Sequence, residues 1–311
     1  MKVLISDKAH PSCRERFEAA GIEVDEKPGL DPAALKAIIK DYDGMVIRSA
    51  TKVTADLLSA ATKLKVIARA GSGVDNVDVP AATAKKIVVM NTPGQNSNAA
   101  AELAVAMIFA LARHVPRACA SLKACRWEKQ LEGREVMGKT LGIVGFGNIG
   151  RIVGELGRGI KMKVLAFDPY LSAEKIKEFG GEPVSFDELL ARSDYITIHV
   201  PKTKETTHLF NAEAIGRMKN GAYLINCARG GIADENALYD ALVSGKLAGG
   251  ALDVFEVEPP GEHKLLTLDN FVCTPHLGAS TFEAQVNVAV AAADQIVTFF
   301  KEGKAINAVN A

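Results

Sequence analysis

The sequence predicts an α/β chain built as two doubly wound parallel-sheet domains. Three observations predict it. Short apolar runs alternate with polar or glycine turns and amphipathic stretches, the pattern of βα units feeding a parallel sheet. The alternation falls into two blocks, before and after an alanine-rich stretch near residue 100. The second block opens on an apolar run that passes directly into a Gly-x-Gly-x-x-Gly loop.

The chain has 311 residues, and at about 150 residues per domain this suggests two domains. The boundaries expected are 1–95, completed by 281–311, and 96–280. In the first block, residues 3–6, 45–48, 66–69 and 87–90 read as strands. Asp31 followed by Pro32 reads as a helix cap with proline at the first helical position. Gly71-Ser72-Gly73 ends the third strand, and Thr92-Pro93-Gly94 stops the fourth. A long alanine-rich helix is expected from Asn98 to His114 as a connector. In the second block, residues 141–144, 164–167, 196–200, 223–226, 250–253 and 271–274 read as six strands. Ser185 and Glu188 form a capping box. One long helix is expected from Thr281 to Glu302, returning to close the first block.

Composition excludes several classes of function. Lys plus Arg number 37 and Asp plus Glu number 37, so the formal charge is zero. Such a chain has no general attraction for nucleic acid or anionic membranes, and neither is expected as a partner. The five cysteines (Cys13, Cys119, Cys125, Cys227 and Cys273) are scattered and lack metal-ligand spacing. They read as reduced thiols in a cytoplasmic protein that binds no metal. The opening Met-Lys-Val-Leu-Ile-Ser-Asp reads as a first strand, not a signal peptide. No apolar run approaches the roughly 20 residues of a membrane helix.

The glycine loop carries the first functional reading. Gly145 permits the tight turn, Gly147 lets the backbone approach a pyrophosphate, and Gly150 lets helix and strand pack closely. The helix start then offers free N–H groups to phosphates. The next strand ends at Asp168, about 20 residues on, where a carboxylate accepts from ribose hydroxyls and repels a 2′-phosphate. This points to a Rossmann domain binding NAD rather than NADP.

Three ionisable residues follow later strands, at the carboxyl ends where ligands of open α/β sheets bind. They are Arg229, Glu258 and His276. Singly, each has a plainer reading: a capping arginine, a solvated carboxylate, a loop histidine. Together beside a nucleotide fold they match oxidation of a secondary alcohol. Histidine, with an ordinary pKa near about 6.5, accepts the proton. A carboxylate fixes its tautomer, and an arginine fork grips a carboxylate. In the first block, the Gly71-Ser72-Gly73 backbone reads either as an anion nest or as a plain turn. Arg48 reads either as a ligand for phosphate or carboxylate or as a strand-end surface residue.

The runs Ala70-Gly71-Ser72-Gly73-Val74-Asp75-Asn76, Val144-Gly145-Phe146-Gly147-Asn148-Ile149-Gly150, Asn226-Cys227-Ala228-Arg229-Gly230-Gly231, Glu258-Pro259-Pro260 and Pro275-His276-Leu277-Gly278-Ala279 together resemble the D-isomer-specific 2-hydroxyacid dehydrogenases. The resemblance covers essentially the whole chain. It implies a flavodoxin-like substrate domain beside the Rossmann NAD-binding domain, and a small anionic 2-hydroxy acid as substrate. It makes His276 the acid/base, Glu258 its partner and Arg229 the substrate clamp. Arg48, Ser49, Gly71, Ser72, Gly73 and Asn96 would meet the substrate's anionic groups. Asn148, Ile149, Asp168, Thr207, Cys227, Ala228, Asp253, Gly278 and Ala279 would join the glycines at NAD, along with Arg229 and His276. It further implies a homodimer through the NAD-binding domains, with the Trp127 segment in the contact.

Within the family, Arg48 points to a phosphorylated substrate; an unphosphorylated 2-hydroxy acid is the nearest alternative, and a dinucleotide-sensing scaffold a more distant one. Many relatives carry C-terminal regulatory domains. This sequence stops at Ala311, so control through such a domain is not expected. The loop Gly94-Gln95-Asn96-Ser97-Asn98 is a further point at which family members vary.

Overall fold

The structure is a computed structural model and describes residues 1–310. The chain divides into two compact units, one of Met1–Asn96 with Ala279–Ala311, the other of Ser97–Gly278.

Unit 1 holds a five-stranded parallel sheet of β1 (Lys2–Ile5), β2 (Glu23–Glu26), β3 (Gly44–Ile47), β4 (Val66–Arg69) and β5 (Val88–Asn91), in the order β2-β1-β3-β4-β5. This is the flavodoxin-type order, with its topological switch point between β1 and β3. Side chains alternate across it as a pleated sheet requires. Val3, Ile5, Val46 and Val66 face one core, and Leu4, Met45, Ile47 and Ile67 face the other. The helix Phe282–Glu302 presses Val288, Ala292 and Ile296 onto the first of these cores, which is why the last segment belongs to this unit. Residues beyond the helix cover the sheet edge: the Val309 N–H donates to the Val89 carbonyl at 2.8 Å, and Asn310 Oδ1 accepts from the Val89 N–H. A covered edge offers no template for another strand.

Unit 2 holds a seven-stranded parallel sheet of β6 (Thr140–Val144), β7 (Lys163–Phe167), β8 (Glu182–Pro183), β9 (Tyr195–Ile198), β10 (Ala222–Asn226), β11 (Leu247–Leu252) and β12 (Phe271–Cys273). Its order is β8-β7-β6-β9-β10-β11-β12, the dinucleotide-fold order with one strand added. The switch point falls between β6 and β9. Ile196, Ile198, Leu224 and Leu252 face one core; Leu141, Ile143, Tyr195, Tyr223 and Ile225 face the other.

The caps expected at Asp31 and at Ser185 with Glu188 are present, and Thr281 caps the long final helix. Three expectations are corrected. Four strands were expected in the first block and six in the second, but there are five and seven among the described residues. The missed β2, Glu23-Val24-Asp25-Glu26, is an edge strand with one buried side chain and so carries no apolar run. The missed β8 is only two residues long. The helix expected over 98–114 spans Ser97–Ala112, is followed by left-handed His114, and resumes at a 65° bend as Val115–Lys123. Pro116 is the reason: it has no N–H to give the carbonyl four residues back, at Ala112. That carbonyl accepts from the Arg134 N–H instead, at 2.7 Å. No single helix among the described residues is long and apolar enough to cross a membrane.

Candidate active site and cofactor cradle

β6 leads into the glycine loop, and each glycine there meets a different physical demand. Gly145 has φ +89, and a Cβ on it would lie 2.6 Å from the His199 carbonyl oxygen. A Cβ on Gly150 would collide with the Gly145 carbonyl. Gly147, by contrast, faces open space and caps the helix Asn148–Gly159. Its missing side chain serves no neighbour among the described residues, which fits a backbone surface approached by a phosphate. Asn148 and Ile149 lie in the first turn beside it. Asp168 follows β7: Oδ2 accepts from the Phe146 N–H at 2.8 Å and Oδ1 from the Tyr170 N–H at 2.9 Å. A carboxylate has about four lone-pair sites, so these bonds aim it while leaving capacity for two hydroxyls. The cradle therefore fits the adenosine and pyrophosphate portions of NAD.

Cys227 and Ala228 follow β10. Burial pushes the Cys227 thiol above its usual range, and its Sγ lies 3.4 Å from Met107 Sδ. It forms wall rather than nucleophile. The Ala228 N–H donates to Asn226 Oδ1 at 3.0 Å, and Asn226 Nδ2 donates back to the Arg229 carbonyl at 2.9 Å. Arg229 Nη1 donates to the Ala228 carbonyl at 2.8 Å. At Gly230 a Cβ would collide with the Phe255 carbonyl, so the turn bearing Arg229 lies directly against the loop that follows β11. Thr207, on the loop after β9, is exposed and donates to the Thr203 carbonyl.

Glu258 and His276 meet. The segments after β11 and β12 bring His276 Nδ1 to 2.8 Å from Glu258 Oε2. Glu258 Oε1 accepts from the Phe255 N–H at 3.1 Å. A carboxylate accepts only, so Nδ1 carries the ring proton and Nε2 is left as the lone-pair nitrogen. His276 has φ +56, uncommon for a residue with a Cβ. Buried Asp253 secures this segment: its carboxylate accepts from Thr274 Oγ1 at 2.5 Å, the Leu277 N–H at 2.7 Å and the Gly278 N–H at 2.8 Å. Asp253, one of the residues expected to line the cofactor site, anchors the histidine loop by these bonds.

In unit 1, Arg48 and Ser49 stand after β3 at the switch point. Asp7, after β1, organises them, its carboxylate accepting from the Arg48 N–H at 2.5 Å and from Thr51 Oγ1 at 2.7 Å. Asn76 Nδ2 donates to the Arg48 and Thr51 carbonyls. Arg48 Nη1 donates to the Lys8 carbonyl, while its buried Nε has no partner among the described residues. Burial pulls this guanidinium below its ordinary value, with Asp7 acting the other way. Asn96 Oδ1 accepts from Ser72 Oγ at 2.7 Å, bringing those two together. The Gly71 N–H is already given to Thr92 Oγ1 at 2.8 Å, which narrows any anion nest to the amides that follow. Ala279 accepts from Gln285 Nε2.

Sequence reasoning passed over Asp7 and His199. Asp7 registered only as the end of an apolar run, although a carboxylate after the first strand of a doubly wound sheet was a usable signal. His199 follows β9 at the switch point of unit 2, with Nε2 2.9 Å from Thr197 Oγ1. Loss of water around it pushes it down to about 3. A surface cavity of about 290 Å³, lined in part by Leu111, Arg117, Glu128, Tyr223 and Phe271, lies at the amino ends of β10–β12 and contains none of these residues.

The family model for the NAD-binding domain of D-isomer-specific 2-hydroxyacid dehydrogenases matches residues 105–278. The chain belongs to this family. Its second unit is the family's NAD-binding domain. The chain is 50% identical over 296 residues to D-3-phosphoglycerate dehydrogenase of Synechocystis, covering 95% of this chain and 53% of that protein. It is 48% identical to human D-3-phosphoglycerate dehydrogenase over 311 residues, covering 100% of this chain and 58% of that one. The chain thus spans little more than half the length of the curated relatives it matches. NAD-bound 3-phosphoglycerate dehydrogenase of Entamoeba histolytica superposes with a TM-score of 0.86 at 33% identity, covering 100% of this chain and 99% of the other.

Proposed function

We propose that this chain oxidises 3-phospho-D-glycerate to 3-phosphooxypyruvate with NAD, the opening step of phosphorylated L-serine biosynthesis. The His276–Glu258 contact carries the chemical part of this reading. Bound NAD supplies the hydride acceptor. His276 Nε2 takes the C2 hydroxyl proton as the carbonyl forms. Glu258 holds the Nδ1 proton and stabilises the imidazolium. Arg229 grips the substrate carboxylate. Arg48, whose Nε awaits an acceptor, is the cation for the phosphate, with Ser49, Gly71, Ser72, Gly73 and Asn96 as further ligands for anionic groups. The names of the curated relatives support this substrate, and their agreement with the Arg48 chemistry is what favours it over an unphosphorylated acid.

A turnover assay with NAD and a panel of 2-hydroxy acids tests the proposal. 3-Phosphoglycerate is expected to be the preferred substrate. Arg48→Ala should raise its KM far more than that of unphosphorylated acids; equal losses would favour a glyoxylate or hydroxypyruvate reductase. No turnover with any acid would favour a dinucleotide-sensing scaffold.

We also place the protein in the cytoplasm, as a homodimer joined through unit 2. Phe109, Val115, Leu122, Trp127 and Met137 are large apolar side chains exposed along one stretch of that unit, with Trp127 at 73% exposure. Such a concentration fits a face covered by a second copy.

A further inference from the structure

Glu235 lies outside every motif named above, and its carboxylate joins two parts of the loop that carries Glu258. Oε1 accepts from the Glu256 N–H at 2.7 Å, and Oε2 lies 3.0 Å from His263 Nε2. The Glu235 side chain is only 12% exposed. The helix it begins, Glu235–Val243, does not need it as a cap, because Asp234 accepts from the Asn236 and Ala237 N–H groups. His263 Nδ1 accepts from the Leu265 N–H at 3.3 Å, so the neutral ring carries its proton on Nε2, directed at Glu235. Each Glu235 oxygen thus receives one donor, and the loop is tied at residues 256 and 263 to a helix start. The neighbouring carboxylate, Glu256, is engaged elsewhere, with Oε1 2.8 Å from His208 Nε2.

Glu258 lies between those two ties. The Phe255 N–H that aims its Oε1 is one peptide away from the Glu256 N–H held by Glu235. We infer that Glu235 is a positioning residue for the Glu258–His276 pair: it fixes the 255–256 backbone, which aims Glu258, which fixes the tautomer of His276. This inference rests on the proposed acid/base role of that pair. Sites of this kind tolerate misplacement of only about 0.5 Å, so loosening a tie one peptide from the aiming N–H should be felt in catalysis and not in cofactor affinity.

The test is Glu235→Gln. An amide has one acceptor oxygen, so it satisfies either the Glu256 N–H or His263, and its NH₂ opposes the other donor. Three measurements are made on the full chain: kcat and KM with NAD and 3-phosphoglycerate, NAD Kd, and ¹⁵N shifts of the histidine rings. The six histidines allow assignment by single substitutions. The expected result is at least a tenfold fall in kcat, NAD Kd within twofold of the parent, and His276 ring nitrogens moving from the Nδ1–H tautomer toward a mixture. His263→Ala, which removes one donor and leaves the carboxylate, should give a smaller change in the same direction; it carries the test alone if Glu235→Gln does not fold. A kcat within twofold of the parent, or a fall in kcat with unchanged His276 nitrogens, overturns the inference. Full activity of His276→Ala would instead sink the parent reading, and the ring shifts would still decide whether Glu235 sets the geometry of His276.

Discussion

His276 Nδ1 and Glu258 Oε2 lie 2.8 Å apart across 18 residues of chain, and this contact leaves Nε2 as the basic nitrogen of the ring. Glu258→Gln leaves one acceptor oxygen for two donors, the Phe255 N–H and His276 Nδ1–H, so its NH₂ opposes one of them, and the charge that stabilises the imidazolium is lost. We expect kcat to fall by about 10²- to 10⁴-fold, with NAD affinity nearly unchanged. His276→Ala should fall at least as far. Steady-state kinetics with a parallel NAD titration check both, and near-parental turnover in a folded His276→Ala protein would end the assignment.

Gly147 and Gly150 should separate binding from folding. Gly147→Ala places a methyl in open space at a helix start, so stability should change by no more than about 0.5 kcal/mol while NAD affinity drops at least tenfold. Gly150→Ala drives a methyl into the Gly145 carbonyl and should cost about 1–3 kcal/mol of stability. Thermal unfolding of the apoprotein, paired with NAD titration, distinguishes the two. Matching effects from both substitutions would contradict the cradle described here.

His199 gives a signed pH dependence. Its ordinary value of 6.5 is pushed down to about 3 by loss of water in the folded protein. Below pH 6.5 the unfolded chain binds a proton that the folded chain does not, so this contribution to stability is present above pH 6.5. It is lost progressively as pH falls toward about 3, with a slope of at most about 1.4 kcal/mol per pH unit. His199→Gln should flatten the stability profile by about one proton across that window. Urea unfolding at a series of pH values measures it, and an unchanged slope would refute it.

Trp127 should anchor the proposed dimer. Trp127→Ala alone, or with Leu122→Ala, should shift the protein toward monomer in sedimentation at low micromolar concentration. Neither side chain is buried in the single chain, so intrinsic stability should hardly change. A dimer unaffected by both substitutions would place the interface elsewhere.

The sequence by itself determined whatever depends on neighbours along the chain. The apolar runs of β4 and β6, the caps at Asp31 and Ser185, and the glycine loop with Asp168 after the next strand were legible because their geometry is local. The residue types of the proposed catalytic set were legible too, because each follows a strand at the end where a parallel sheet binds ligands. Only the tertiary structure decided which of them meet. Glu258 pairs with His276 because β11 and β12 are neighbours and Asp253 ties the second loop to the first. β2 had no apolar run, and its pairing with β1 made it a strand. The break at Pro116 went unread, and the carbonyl it releases finds its partner in Arg134, 22 residues beyond Ala112. Glu235 looked like an ordinary first-turn carboxylate until Glu256 and His263 folded onto it. The physical reason is the same in each case: periodicity and capping reflect bonds within a few residues, whereas the donors that satisfy a half-buried carboxylate come from loops brought together only when the sheet forms.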